Sequence, residues 1–253
     1  MSDVHGNCLA LDAALKEIKK RPVDKIVCLG DAIQGGPQPV ETAERLRKLG
    51  CPVVMGNADA WLLSESADTA EPTTAEQREV RAWTLSKLSS NDMDYIRGFQ
   101  PTVKIKLGRA QDLLCFHGSP LSFDDVLLPD TPKEKWDQLL GRFSPAIMAG
   151  GHTHMQQLRR IREGLFFNPG SVGVTYNQDP PDSDSHTVSW AEYAILTWEA
   201  GQPSLEFRRA GYDVEGLIHT IETSGRPHAD LMVKRYRDLP RHRPRRPSYY
   251  HRS

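Results

Sequence analysis

Lys25-Ile26-Val27-Cys28-Leu29 runs straight into Gly30-Asp31. A short, unbroken apolar run suits a strand buried on both faces, and a carboxylate just behind a glycine suits a loop at that strand's end. The arrangement recurs three times along the chain. Pro52-Val53-Val54-Met55 leads into Gly56-Asn57, Leu113-Leu114-Cys115-Phe116 into His117-Gly118, and Ala146-Ile147-Met148-Ala149 into Gly150-Gly151-His152. Between the runs, Ala10 to Lys20 and Pro39 to Leu49 space Leu, Ala and Ile as a helix does, and Gly50 stops the second. Strands alternating with helices predict a layered α/β sheet. Ligands of such sheets collect beyond the carboxyl ends of the strands. The glycines let backbone approach a bound group closely or take positive φ.

Working outward, residues 72–98 read as one further helical segment with Val80, Trp83, Leu85 and Leu88 on its buried face. The polar stretch Asn177 to His186 reads as a surface loop. Trp190 to Leu196 and Ser204 to Arg208 alternate like half-buried strands, with a turn near Gly201 and Gln202. The five tryptophans are expected in the core. One domain is expected over residues 1–225, followed by a basic, disordered tail over 226–253.

The whole chain of 253 residues carries a net charge of −1, so no global field draws in nucleic acid or a membrane surface. Residues 226–253 hold nine Arg/Lys against two Asp, a local +7 that leaves −8 for the remainder. That tail reads as solvated, and a nucleic-acid contact through it is the minor alternative. Cys8, Cys28, Cys51 and Cys115 lie far apart with no C-x-x-C spacing, unlike a secreted disulfide framework. No apolar run approaches the ~20 residues of a membrane span, and no signal-peptide core is present. The chain reads as cytoplasmic.

The residues at the run ends form one chemical set: Asp3 and His5, Asp31, Asn57, His117, His152 and His154. Mixed oxygen and imidazole nitrogen without thiolate suits Mn, Fe or Zn better than a structural Cys-zinc site or an all-oxygen Ca or Mg site. The set is large enough for two cations, and two divalent ions about 3.5–4 Å apart are the usual equipment for displacing an ester at phosphorus. A hydrolase of phosphate esters is the expected function.

The series SDVHGN, GD, GN, HG and GHTH, followed by NPGSVG, resembles the calcineurin-like metallophosphoesterases, with the closest similarity to their small bacterial and archaeal phosphodiesterase branch. Each block alone is weak; all five in order over roughly residues 1–200 are a strong signal. The resemblance implies a four-layer α/β/β/α sandwich with a dinuclear site. Asp3, His5 and His154 would hold one metal, Asn57, His117 and His152 the other, and Asp31 would bridge them. Two divalent ions per chain are implied, Mn favoured, with Fe, Zn or Ni possible. The implied nucleophile is a metal-bridging hydroxide attacking in line, since metal binding lowers a water pKa toward ~7. Asp31, Asn57 and His117 are the residues carried over as catalytic. The substrate would be a small-molecule or nucleotide phosphoester, a phosphodiester foremost. Phosphomonoesters, dinucleoside polyphosphates or phosphoproteins are the alternative. A retromer subunit of the same fold works through protein contacts with an incomplete ligand set. A non-catalytic scaffold is therefore a rival reading, disfavoured here because both metal shells are complete.

Two departures from the family pattern stand out. The family usually places His after the Gly-Asn, where it contacts phosphate or protonates the leaving group; here Ala58 follows Asn57. General acid catalysis is worth about 10²–10⁴-fold, so Ala58 predicts a preference for acidic leaving groups or an acid supplied from elsewhere. The second departure is at the start, where the family has a full central strand before D-x-H and this chain has Met1-Ser2. A misassigned start is expected, with a GTG-encoded valine before Ser2 read as Met1; a missing strand would leave Asp3 on a frayed end.

Several neighbours have open roles. Asn7 is either a phosphate contact or a helix cap, and Asp59 either orients a ligand or caps the next helix. Gln34-Gly35-Gly36-Pro37 lines the cleft or merely turns. Ser119 and Pro120 shape the turn after His117, and Asn168 to Ser171 brace the metal loops. His186, His219, His228, His242 and His251 receive no role.

Overall fold

The protein, seen in a computed structural model, is described for residues 1–65, 73–108, 111–162, 164–176 and 188–237. Its helices are α1 (Cys8–Ile18), α2 (Pro39–Leu49), α3 (Asn57–Leu63), α4 (Ala75–Lys87), α5 (Ser90–Arg97), α6 (Lys133–Leu140), α7 (Val214–Thr223) and α8 (Ala229–Arg237). Its strands are β1 (Val103–Lys106), β2 (Asp112–Cys115), β3 (Ile147–Ala149), β4 (Gln156–Ile161), β5 (Gly164–Pro169), β6 (Trp190–Glu199) and β7 (Gln202–Gly211).

A five-stranded mixed sheet runs β1-β2-β3-β5-β4. β2, β3 and β5 are parallel, while β1 and β4 close the edges antiparallel. The parallel strands are short and apolar, as a sheet covered on both faces requires. On one face Leu114, Phe116, Met148 and Phe166 pack against Trp136, Leu139 and Leu140 of α6. On the other, Leu113, Cys115, Ile147 and Phe167 meet Leu29, Val54 and residues of the β6–β7 hairpin such as Leu196 and Trp198. Ala191, Tyr193 and Ala210 point from the hairpin's opposite side into a core with Leu11, Ala14 and Leu15 of α1. The alternation of β6 thus splits its side chains between two cores.

The predicted strands at 25–29 and 52–55 are extended but joined by single bridges. Cys28 pairs with Val53 and Val54 with Gln100, both parallel. Met1 to Val4 lie beside them. Leu29 N donates to Met1 O (2.9 Å), Val172 N to Ser2 O (2.9 Å) and Gly173 N to Asp3 O (2.9 Å). Ser2, Asp3 and Val4 are fully buried. The stub is bonded on both sides, so Asp3 does not ride on the frayed end that a missing strand would leave.

Local chemistry explains the helix limits. Asn7 Oδ1 accepts from Ala10 N and so caps α1. Pro39 opens α2 and Gly50, at φ 65, closes it in the left-handed region. The single segment expected over 72–98 is two helices. Ser89 accepts from Asp92 N while the Asp92 carboxylate accepts from Ser89 N, and this capping box starts α5 afresh. Val80 and Thr84 form the buried face of α4, with Trp83, Leu85 and Leu88 only half-buried. Trp61 and Trp136 are buried as expected, whereas Trp190 and Trp198 are half-buried like Trp83.

Residues 229–237, assigned to the tail by sequence, form α8, because Val233 and Tyr236 bury a face against Leu217, Ile218 and Ile221 of α7. Residues 238–253 and the loop Asn177 to His186 lie outside the described residues.

Candidate metal centre

The seven expected ligands come from five loops that meet beyond the carboxyl ends of β2 and β3. Asp3 and His5 follow the N-terminal stub, Asp31 follows Leu29, and Asn57 is the first residue of α3. His117 follows β2, and His152 and His154 follow β3. Asp3, His5 and His154 form one group, and Asp31, His117 and His152 a second; in each, one ligand atom per residue lies within 4.8 Å of the others.

Distances inside the groups are short. His5 Nε2 lies 3.1 Å from His154 Nε2, and His154 Nε2 lies 3.5 Å from Asp3 Oδ1. His117 Nε2 lies 3.0 Å from Asn57 Oδ1 and 3.4 Å from Asp31 Oδ2. The same Asp31 Oδ2 lies 3.7 Å from His5 Nε2, so one carboxylate oxygen faces both groups. Its other oxygen, Oδ1, accepts from Ala58 N at 2.8 Å.

The donor set fits a cation. His5 Nδ1 faces Gln34 O (2.9 Å), His117 Nδ1 faces Leu29 O (2.8 Å) and His154 Nδ1 faces Val174 O (2.6 Å). A carbonyl only accepts, so each ring holds a proton on Nδ1 and turns Nε2 inward, the nitrogen whose lone pair a cation would take. Two such lone pairs 3.1 Å apart repel. Asp3 Oδ1 is also buried and has no hydrogen-bond partner. Ligand atoms at about 2.1 Å from one ion lie roughly 3–4 Å from each other, which is the spacing found here. The residues present therefore fit divalent cations at both groups.

Protonation is the other way to relieve the same crowding, and the site uses it unevenly. Burial disfavours charge on His117, but Asp31 beside it pushes the ring up to about 10. Burial alone would raise Asp31, yet His117, then His5 and His152, hold its carboxyl well below the usual carboxylate range. Burial takes His154 down to about 4, against the pull of Asp3. Burial and the charge of His117 also lower His152. Protons and cations compete for these nitrogens.

The backbone is strained at the ligands themselves. Asp3 (φ 54), His5 (φ 47), Asp31 (φ 49), His152 (φ 70) and His154 (φ 59) all take positive φ. Each such non-glycine residue costs on the order of 1–3 kcal/mol and persists only where surroundings over-determine it. Some neighbouring glycines serve space instead. A Cβ on Gly56 would overlap Asp31, and one on Gly151 would overlap Ser2 Oγ.

The braces are visible. Asn168 Nδ2 donates to Gly151 O (2.6 Å) and Thr153 Oγ1 (3.1 Å), and Ser171 Oγ donates to Asp3 O (2.8 Å). Ser119 Oγ donates to Asp125 and accepts from Leu121 N and Ser122 N, which fixes the turn after His117. Asp59 neither caps a helix nor reaches a ligand side chain. Its buried carboxylate accepts from Ala32 N and Ile33 N, pinning the loop that carries Asp31. Burial and then the charge of Asp31 push Asp59 up to about 6.

Asn7 takes the cap role, and the expectation of a phosphate contact is corrected. The side chain is 1% exposed, with Nδ2 donating to Gly173 O and Oδ1 engaged by Ala10 N. His228 pairs with Glu79 at 2.9 Å and His219 is exposed on α7; His186, His242 and His251 lie outside the described residues. One neighbour escaped the sequence reading. Tyr176 stacks on the His154 ring with centroids 5.3 Å apart, and only its place just after the Gly-Ser-Val-Gly block hinted at it.

Known proteins share this fold. An uncharacterized protein of Methanocaldococcus jannaschii is 26% identical over 87% of this chain and 90% of its own. The crystal structure of a hypothetical protein from Pyrococcus horikoshii OT3 superimposes with a TM-score of 0.77 at 21% identity, covering 92% of this chain and 94% of that one. A metallophosphoesterase from Sphaerobacter thermophilus does so with a TM-score of 0.69 at 23% identity, over 94% and 97% of the two chains. Residues 1–192, which contain all seven expected ligands, match the calcineurin-like phosphoesterase superfamily domain, and the chain belongs to that superfamily.

Proposed function

We propose that this protein hydrolyses phosphate esters, phosphodiesters foremost, at a dinuclear metal centre. The reading rests on one observation: two histidine–carboxylate groups whose Nε2 lone pairs converge on a shared Asp31 oxygen. In this assignment Asp3, His5 and His154 hold one ion, Asn57, His117 and His152 the other, and Asp31 bridges. Mn is the favoured ion for this nitrogen and oxygen set, with Fe, Zn or Ni as alternatives. When bound, such a pair would supply Lewis-acid charge to the phosphoryl oxygens and would lower the pKa of a bound water.

The chain's own contribution is orientation. Gln34 O, Leu29 O and Val174 O each engage an Nδ1, so Nε2 is the nitrogen each ring turns inward. Asp31 Oδ1 is tied to Ala58 N, which leaves Oδ2 to face both groups. Ala58 brings no proton donor, so leaving groups that depart without protonation are favoured: aryl esters, nucleotides and pyrophosphates. All four cysteines are free thiols, and among the described residues no helix is long and apolar enough to cross a membrane; a reducing cytoplasmic setting is part of the proposal.

The test is hydrolysis of bis-p-nitrophenyl phosphate and of p-nitrophenyl phosphate by metal-stripped protein, with and without Mn²⁺. Diester turnover that requires metal and disappears in Asp31→Asn is the expected result. A higher rate on the monoester would move the protein to the phosphatases. Full metal loading with no turnover of either ester would sink the hydrolase reading for these substrates.

A further inference from the structure

Residues 171–176, the stretch that follows β5, touch two of the three ligands in the first group. Gly173 N and Ser171 Oγ both donate to Asp3 O, at 2.9 and 2.8 Å. Val174 O accepts from His154 Nδ1 at 2.6 Å. The Tyr176 ring stacks on the His154 ring, with centroids 5.3 Å apart and planes 21° off parallel. Among the described residues the stretch forms no hydrogen bond to Asp31, Asn57, His117 or His152, whose partners lie elsewhere. One short strap thus serves the first group and leaves the second alone.

The strap is itself firmly tied. Val174 N donates to Ser171 Oγ (2.8 Å), Thr175 Oγ1 to Ser171 O (2.6 Å) and Val188 N to Thr175 O (2.9 Å). From outside, Asn7 Nδ2 and the Tyr236 hydroxyl of α8 both donate to Gly173 O, at 3.1 and 3.3 Å. Tyr176 therefore extends from backbone whose position is already set by several segments.

His154 needs such a fixed neighbour. One hydrogen bond at Nδ1 decides which nitrogen faces inward, but the imidazole can still swing about that contact, because the terminal torsion of histidine is broad. Its Nε2 stands 3.1 Å from His5 Nε2 and 3.5 Å from Asp3 Oδ1, a ligand spacing that ring rotation would spoil. A near-parallel aromatic ring covers one face of the imidazole and blocks the swing. The separation of 5.3 Å lies within the range of favourable ring contacts. Groups that orient a metal-bound histidine typically change metal affinity by about 10–100-fold.

We propose that Tyr176 is the positioning residue for His154: its ring, delivered by the 171–176 strap, holds the imidazole in line for the cation of the first group. The assignment rests on the metal-centre reading above, and its test needs no turnover. The probe is Co²⁺ titrated into metal-free, full-length protein against a competing chelator and followed by its visible d–d bands. Proton NMR of the metal-free protein reads the stack separately. The ring current of residue 176 should shift the His154 ring protons upfield in wild type and Tyr176→Phe, and that shift should vanish in Tyr176→Ala. Tyr176→Ala is expected to weaken one of the two cobalt steps about tenfold or more, to alter the bands of that step, and to leave the other within about twofold. Tyr176→Phe keeps the ring face and should bring both steps back to within about twofold of wild type.

Two unchanged cobalt steps in Tyr176→Ala would overturn the proposal. Tyr176→Phe as weak as Tyr176→Ala would overturn it too, by moving the effect from the ring to the hydroxyl. Equal weakening of both steps in Tyr176→Ala, together with a lower unfolding midpoint, would make Tyr176 a support of the fold and equally overturn it. Wild type that takes up no cobalt would remove the metal centre, and the proposal with it. The expected affinities in a protein that turns over neither nitrophenyl ester would keep the positioning role and sink the hydrolase. Metal-dependent turnover lost in Asp31→Asn, with cobalt binding untouched in Tyr176→Ala, would do the reverse.

Discussion

The β6–β7 hairpin and the ligand loops handle backbone strain in opposite ways. The hairpin keeps an unbroken ladder from Trp190↔Gly211 to Glu199↔Gln202, and its positive φ values fall at Ala200 (48) and Gly201 (80), the two turn residues. A two-residue hairpin turn asks for that conformation, so the strain is set locally. In the ligand loops the positive φ values fall on Asp3, His5, Asp31, His152 and His154. Contacts from distant parts of the chain hold them: Gly30 O and Gly173 N on the Asp3 backbone, His152 N on Asp3 Oδ2, and Asn168 on Gly151 O. Strain that a turn dictates is written in two adjacent residues. Strain at the expected ligands is imposed by several segments together, and it relaxes when any one of them moves.

That contrast can be broken most severely at Gly173. A Cβ there would overlap Val4 O, so Gly173→Ala should displace the stub and cost about 3 kcal/mol or more. Denaturant unfolding would measure the loss, and bound metal should fall with it; wild-type stability in this variant would mean the stub is not wedged as described. Asn168→Ala comes next. It orphans the buried Gly170 N and leaves the Gly151 carbonyl with Thr153 N alone, for an expected loss of about 2 kcal/mol, and it frees the GHTH loop to weaken metal affinity by roughly 10–100-fold. A competitive chelator titration reads the second effect, and unchanged affinity would show that Asn168 braces the fold alone.

Away from the site the effects should be smaller and leave metal affinity alone. Asp92→Ala removes the α5 capping box and the contact to Arg47, for about 1 kcal/mol. Burial works upward on Asp92, but Ser89 and Arg47 hold its carboxyl below the ordinary value of 3.8. Its depressed folded pKa means the contribution is complete above the unfolded value and fades as pH falls through the folded one. The gap between wild type and Asp92→Ala should therefore hold from neutrality down to about pH 4 and narrow in stronger acid. Smallest is Ala200→Asn, which gives the turn an Asn-Gly pair suited to its φ values and should raise stability by about 0.5–1 kcal/mol. A loss of stability there would refute the local account of hairpin strain.

The sequence by itself determined what local rules can determine. The apolar runs that end at the seven expected ligands, α1 and α2 with their ends, and the alternation of β6 and β7 are legible because capping, periodicity and turn chemistry act within a few residues. It misjudged 72–98 for a related reason: apolar spacing continued through Leu88, while the capping box that ends one helix and starts the next needed only Ser89 and Asp92. Tertiary structure alone decided the rest. It brought residues 3 and 5 to residue 154, set Asp59 to hold the Asp31 loop instead of a helix end, spent Asn7 on α1 and Gly173, and folded residues 229–237 onto α7. It also brought Tyr176 onto the His154 ring. Each of these depends on which buried donor or acceptor finds a partner across the fold, and a buried polar group's partner is fixed by proximity in space rather than along the chain.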